Sequence, residues 1–122
     1  MIDTDVLIDF LRGHPKAIKF VRSNSTRIIL SSIVAAELYA GVKGEKELNQ
    51  LDAFLRLFRI ISVSPNLART GALYKMKYGK SHGVGLADAI IAATTDAEQA
   101  ELKTLNIKHY PMFPGLKPTY TK

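Results

Sequence analysis

Apolar residues recur at helical spacing through most of the chain, broken by short β-branched runs too brief to be helices. After Asp5, Val6, Leu7, Phe10 and Leu11 share one face, so "VLIDFLR" predicts a helix. "HPKAIKFVR" predicts a second, with Pro15 in its first turn and Ser23-Asn24 at its end. "RIIL" (27–30) reads as a strand. Ser31 or Ser32 then caps "IVAAELYAGV", which Gly41 and Gly44 close. Leu48, Leu51, Phe54/Leu55 and Phe58 mark an amphipathic helix over 45–58, and "IISV" (60–63) a further strand. Ser64 and Pro65 open a helix with the stripe Leu67, Gly71, Tyr74, Tyr78. "GKSHGVG" (79–85) has the composition of a flexible loop. "LADAIIAATTDAEQ" is helical, "LKTL" (102–105) is a strand, and Pro111, Pro114 and Pro118 punctuate the tail.

Strands alternating with helices predict right-handed crossovers and a mostly parallel sheet wrapped by helices. Ligands of such sheets sit beyond the carboxyl ends of the strands. No internal repeat, linker or low-complexity tract divides the chain, so residues 1–122 read as one domain.

Composition narrows the chemistry. The chain has no cysteine, which excludes a disulfide framework, a thiolate nucleophile and a Cys-ligated zinc. No apolar run is long enough to span a bilayer, and the first fifteen residues lack a basic region followed by an apolar stretch. No membrane association is expected, and a cytoplasmic location is. Seventeen Lys and Arg against eleven Asp and Glu leave a net charge of +6, which favours polyanions, nucleic acid above all.

Against that basic background, a few acids fall in the wrong places. "MIDTDVLIDF" threads Asp3, Asp5 and Asp9 through an apolar run, although an unpaired buried carboxylate is costly. Glu37 has Ile33 and Val34 one turn behind it and Ala40 and Gly41 ahead; Asp88 has Val84 behind and Ile91 and Ala92 ahead. Asp3 stands at the end of the first strand. Structural roles exist for each: Asp88 as a first-turn helix residue, Glu37 paired with a buried basic residue, Asp3 and Asp5 as caps of the first helix. Asp9 reads as solvated or paired with Arg12. A single cause accounts for Asp3, Glu37 and Asp88 together: a divalent cation. Two carboxylates ~4 Å apart repel by about 4 kcal/mol at an effective dielectric of ~20. Hard oxygen ligands with few histidines point to Mg²⁺ or Mn²⁺. Such a cation lowers the pKa of water and makes it a nucleophile for phosphodiester hydrolysis.

Four segments in order, "DTDVLIDFL", "SSIVAAELYAG", "SHGVGLADAIIAATT" and "LKTLNIKHY", resemble the PIN-domain ribonucleases, and among them the VapC-type toxins of toxin–antitoxin systems. The resemblance covers the chain from Asp3 to the Pro-rich tail. It implies one PIN-like domain, a three-layer α/β/α sandwich around a mostly parallel sheet of about four or five short strands. It also implies Mg²⁺- or Mn²⁺-dependent endonuclease activity on RNA, a homodimer, and neutralisation by a small VapB-like antitoxin. Carried over by position, Asp3, Glu37 and Asp88 match the family's acids. Asp3 and Asp88 are the expected metal ligands, Glu37 completes the pocket directly or through water, and Asp5 supports Asp3 or the first helix. Many relatives carry a fourth acid near the last strand. Here Thr104 and Asn106 stand in that context, expected to orient a phosphate or a water, and His109 beyond them is expected to be structural. Only Met1 and Ile2 precede Asp3, so the first strand is expected to be stunted or the chain to start late.

Two other readings remain at this stage. Asp3-Thr4-Asp5-Val6 fits the nucleophile pattern of haloacid-dehalogenase-type phosphohydrolases, although the long apolar strand that should precede it is absent. A catalytically idle PIN-like module that binds RNA or an antitoxin is the other. An RNase A-like route needs a histidine pair, which His14 and His82 do not offer. Ser81 and His82 could touch RNA, and Phe54, Phe58, Tyr74 and Tyr78 could line a dimer face or antitoxin groove, or simply be core.

Overall fold

Capping chemistry fixes where the helices begin. In the computed structural model, which describes residues 1–122, Asp3 caps α1 (Thr4–Leu11) by accepting the Thr4 N–H. Pro15 starts α2 (Pro15–Ser23), pre-set for a first helical turn. Ser31 ends β1 (Ile29–Ser31) and caps α3 (Ser32–Ala40) through the Ile33 N–H. The helix α4 (Glu45–Leu55) stops three residues short of the expected Phe58, where a tight turn leads into β2 (Arg59–Ile61). Ser64 caps α5 (Pro65–His82), and α6 (Leu86–Ala97) follows. A 3₁₀ turn at Ile107–His109 leads into the tail.

The segment 79–85 departs from the expected loop. Its first four residues continue α5 to His82, and Gly83 stops the helix at φ +63°, a left-handed conformation that glycine adopts without strain. Gly79 is a helical glycine against which the Lys75 stem packs, and Lys75 Nζ donates to the Val84 carbonyl. Composition marked a breaker there; packing kept the helix.

The sheet is smaller than the four or five strands expected. Only β1 and β2 form a regular ladder, parallel, with Ile29 opposite Arg59 and Ser31 opposite Ile61. Two further segments extend the order without becoming full strands. The Ile2 N–H donates to the Ile29 carbonyl (3.2 Å), while on its other side Asp3 N donates to Lys103 O (2.9 Å) and Lys103 N to Met1 O (2.8 Å). Ile2 and Lys103 thus make a single parallel bridge. The chain enters α1 at Thr4 on one side and bends at Leu105 on the other, so the pairing goes no further in that direction. These few bonds nevertheless hold Asp3 from both sides, so the short lead-in does not leave it loose.

The core gathers Ile2, Val6, Leu7, Leu30, Val34 and Ile91. Helix α6 runs through its middle, buried from Ala89 to Thr95; Thr94 and Thr95 satisfy their hydroxyls on the carbonyls of Ile90 and Ile91. It packs most closely on α5 at Gly71, where an added Cβ would come within 2.7 Å of Ile90 Cγ1 and 3.0 Å of its Cα. Phe54 stacks on Phe10 and meets Phe58 edge-on, so both pack against the core. Tyr74 donates to Asp96, and Tyr78 lies half-buried beside it. No helix is long and apolar enough to cross a membrane.

Candidate metal and active site

Asp3 occupies the junction of the N-terminal segment and α1, and is 4% exposed. Its Oδ1 accepts the Thr4 N–H; its Oδ2 accepts two hydroxyls, from Thr104 (2.8 Å) and Tyr110 (2.8 Å). The Tyr110 oxygen also lies 3.3 Å from Asp88 Oδ1. One buried phenol therefore touches carboxylates from opposite ends of the chain. Asp88 sits in the first turn of α6, half-exposed, with its Oδ2 3.0 Å from His109 Nδ1. Glu37, on α3, is exposed instead of facing inward, and its Oε1 accepts the Thr4 hydroxyl at 2.6 Å. It joins the cluster through Thr4, at the rim.

Asp5 also belongs to this neighbourhood. Its Oδ2 accepts the Leu105 N–H (2.8 Å) and lies 3.3 Å from the Thr104 hydroxyl, tying α1 to the last sheet segment. Thr104 is fully buried; its oxygen accepts the Asn106 N–H at 3.0 Å. The Asn106 side chain is exposed and lines a cavity of about 360 Å³ with Asp5, Leu105, Tyr120 and Lys122. Asp9 departs from expectation. It is neither solvated nor paired with Arg12, but 7% exposed and bonded to the Tyr120 hydroxyl (2.6 Å) and to Lys122 Nζ (2.9 Å). Nothing in the sequence pairs residues so far apart.

The electrostatics separate the acids. Burial first, and then the Asp3 carboxylate, push the pKa of Asp88 up; His109 and the Tyr110 hydroxyl counter this, and Glu37 adds to it. Burial and Asp3 likewise raise Asp5, against the N–H donors of Leu105 and Val6. Burial and the acids around it hold the Tyr110 phenol firmly protonated. No lysine or arginine pairs with Asp3, Asp5, Glu37 or Asp88. His109 beside Asp88 is the cluster's one basic neighbour, so the acids together remain negative, the state that favours proton uptake or a cation.

Whether these side chains fit a divalent cation follows from their donors. No three acidic or histidine side chains already surround one point at ligand distance. Asp3 and Asp88 are joined through Tyr110, and Glu37 stands one residue removed. Mg²⁺ commonly takes one or two carboxylates and keeps several waters, so the set suits a hydrated hard cation and not a closed zinc cage. The residues fit.

Three residues around these acids have no strong signal in the sequence. Tyr110 is one aromatic among several in "HYPMFPG", and Tyr120 and Lys122 lie in a tail with no periodicity. Only the fold brings them to carboxylates of α1.

Comparison with known proteins identifies the family. Residues 1–109 match the PIN domain family. Ribonuclease VapC19 of Mycobacterium tuberculosis is 40% identical over 98% of this chain and 98% of its own; ribonuclease VapC10 of the same organism is 35% identical over 98% and 92%. Among solved structures, a toxin–antitoxin complex from Klebsiella pneumoniae superposes with a TM-score of 0.83 at 28% identity, covering 98% of this chain and 96% of that one. VapBC2 from Rickettsia felis, bound to a promoter DNA fragment, gives 0.75 at 29% identity over 95% and 93%. The family is generally metal-dependent. This match overturns the haloacid-dehalogenase alternative. The family match over residues 1–109 and the near-full-length similarity to these ribonucleases show that the chain belongs to the PIN-domain family, in its VapC-type ribonuclease branch.

Proposed function

We propose that this protein hydrolyses RNA phosphodiester bonds with a Mg²⁺ or Mn²⁺ ion held by Asp3 and Asp88, with Glu37 at the rim, as the toxin of a type II toxin–antitoxin pair. The carrying observation is the meeting of acids from α1, α3 and α6 with no lysine or arginine to neutralise them. When bound, the cation supplies positive charge that lowers the pKa of water and stabilises charge on the phosphoryl oxygens. Asp3 and Asp88 bind and orient it from two rigid elements. Glu37 Oε1 is engaged by Thr4, which leaves Oε2 to take the proton of the attacking water. Attack on phosphorus in line with the leaving 3′ oxygen forms the new P–O bond and breaks the P–O3′ bond; the departing 3′ oxygen takes a proton from solvent, leaving 5′-phosphate and 3′-hydroxyl ends. The net charge of +6 gathers the RNA. The cavity beside Asp5 and Asn106, with Lys122 on its rim, offers a place for a flanking nucleotide, so Asn106 orients RNA and Thr104 orients Asp3.

A small VapB-like antitoxin and a homodimer complete the reading, supported by the toxin–antitoxin complexes among the structural neighbours. A three-layer arrangement of helices about the four-segment sheet belongs to it as well. The test incubates purified protein with a tRNA and mRNA panel in Mg²⁺, Mn²⁺ or EDTA, alongside Asp3→Asn and Asp88→Asn. Cleavage by the wild type alone, abolished by EDTA, is the expected result. Equal silence from all three proteins that still bind RNA would establish an idle binding module instead.

A further inference from the structure

We propose that Tyr110, seconded by Thr104, is a positioning residue of the acidic site: its hydroxyl ties Asp3 to Asp88 and saturates Oδ2 of Asp3, reserving Oδ1 for the cation. This rests on the cation-dependent reading above. The argument is one of lone pairs. A carboxylate offers about four acceptor sites, two on each oxygen. Oδ2 of Asp3 receives Thr104 and Tyr110, both at 2.8 Å, and is full; Oδ1 receives only the Thr4 N–H and keeps one site open.

Tyr110 is placed to act as a fixed post. It is 1% exposed, its ring stacks on Phe113, and its backbone N–H is held by the Ile107 carbonyl. A phenol has one proton to give, and the shorter distance directs it to Asp3; Asp88 Oδ1, at 3.3 Å, rests against the same oxygen. Asp3 Oδ2 and Asp88 Oδ1 are therefore never farther apart than these two contacts laid end to end, which keeps both carboxylates within reach of one hydrated cation that retains several waters. Without the post, like-charged Asp3 and Asp88 move apart and Asp3 turns freely between its oxygens.

The experiment measures Mn²⁺ binding by the loss of the free-ion electron paramagnetic resonance signal. It compares wild type with Tyr110→Phe, which removes one oxygen and keeps the ring. The expected dissociation constant of the variant is about 10–100-fold weaker, the usual penalty for losing an outer-shell partner. Its circular dichroism spectrum should be that of the wild type, and its KM for RNA unchanged. Thr104→Val should weaken Mn²⁺ in the same direction, whereas Thr104→Ser, which keeps the hydroxyl, should match the wild type. Folded Tyr110→Phe that binds Mn²⁺ within twofold of wild type, or more tightly, overturns the proposal. Should Tyr110→Phe not fold, the Thr104 pair decides: weakening by Val but not Ser upholds hydroxyl control of Asp3, and equal affinity overturns it. Wild type that cleaves RNA with Mn²⁺ while both phenolic and phenyl forms bind alike sinks this inference alone; wild type that binds no Mn²⁺ sinks it together with the proposed function.

Discussion

Helix α1 holds one buried acid just before its start and another inside it, and they have opposite environments. Asp9 is answered locally: Lys122 and Tyr120 close on it, and although burial works against its charge, these partners pull its pKa below the ordinary value. Asp3 is surrounded by hydroxyls and by other acids, whose company raises Asp5 and Asp88. A buried carboxylate with its own cation holds structure together. A group of them with one histidine among several acids is poised for an ion the protein must acquire.

The sharpest break in this contrast is activity. Asp88→Asn should reduce RNA cleavage by more than about a hundredfold, equivalent to the several kcal/mol a metal contributes to charge stabilisation. Asp9→Asn should leave single-turnover cleavage within about threefold, a difference smaller than 1 kcal/mol. Equal losses in a gel assay would erase the distinction between the two acids.

Divalent ions come next. Mn²⁺ at 100 times its dissociation constant should stabilise the wild type by about 2.7 kcal/mol, read as a rise in melting temperature, and should not stabilise Asp88→Asn. Asp9→Asn should keep the full rise.

Gly71→Ala acts on one side only. Its methyl would press on Ile90, two residues beyond Asp88, with backbone as well as side chain in the way. A loss of about 1–3 kcal/mol by urea denaturation is expected, with reduced cleavage, because α6 carries Asp88. The Asp9 patch, on the far end of α1, should keep its geometry.

The smallest effect is the sign of the pH dependence in EDTA. A lowered acid such as Asp9 contributes stability above its unfolded pKa, near 3.8, and loses it as pH falls through the lower folded value. Raised acids such as Asp5 and Asp88 do the reverse: stability declines as pH rises from about 3.8 through their raised values. At neutral pH without metal, Asp9→Asn should cost about 1 kcal/mol, since Lys122 is half-exposed and partly screened. Asp88→Asn should instead raise the denaturation midpoint. Shifts of the same sign would break the comparison.

Legibility in the sequence followed the range of each interaction. Ser31, Ser64, Pro15 and Pro65 act within one turn of themselves, so the helix starts they imply are where they stand. Acids set on apolar stretches, together with four family-like segments, mark Asp3, Glu37 and Asp88 as candidates in the sequence, although Glu37 is exposed at the rim and does not face inward. The strand count and the reach of α5 were less legible. Ile2 and Lys103, in the segment 102–105 expected as a strand, make one bridge because of where neighbouring backbone lies, and of the glycines at 79 and 83, alike in composition, only Gly83 takes a positive φ.

What the chain alone determined is therefore local or compositional: caps, amphipathic faces, an acid pattern too costly to be accidental, and a net charge of +6. The tertiary structure alone decided which donor meets which acid. Thr104 reaches Asp3 across 101 positions, Tyr110 across 107, and Lys122 reaches Asp9 across 113. Short-range preferences are written into neighbouring residues, whereas partners that distant are chosen only when packing of α1, α6 and the tail brings them within hydrogen-bond length.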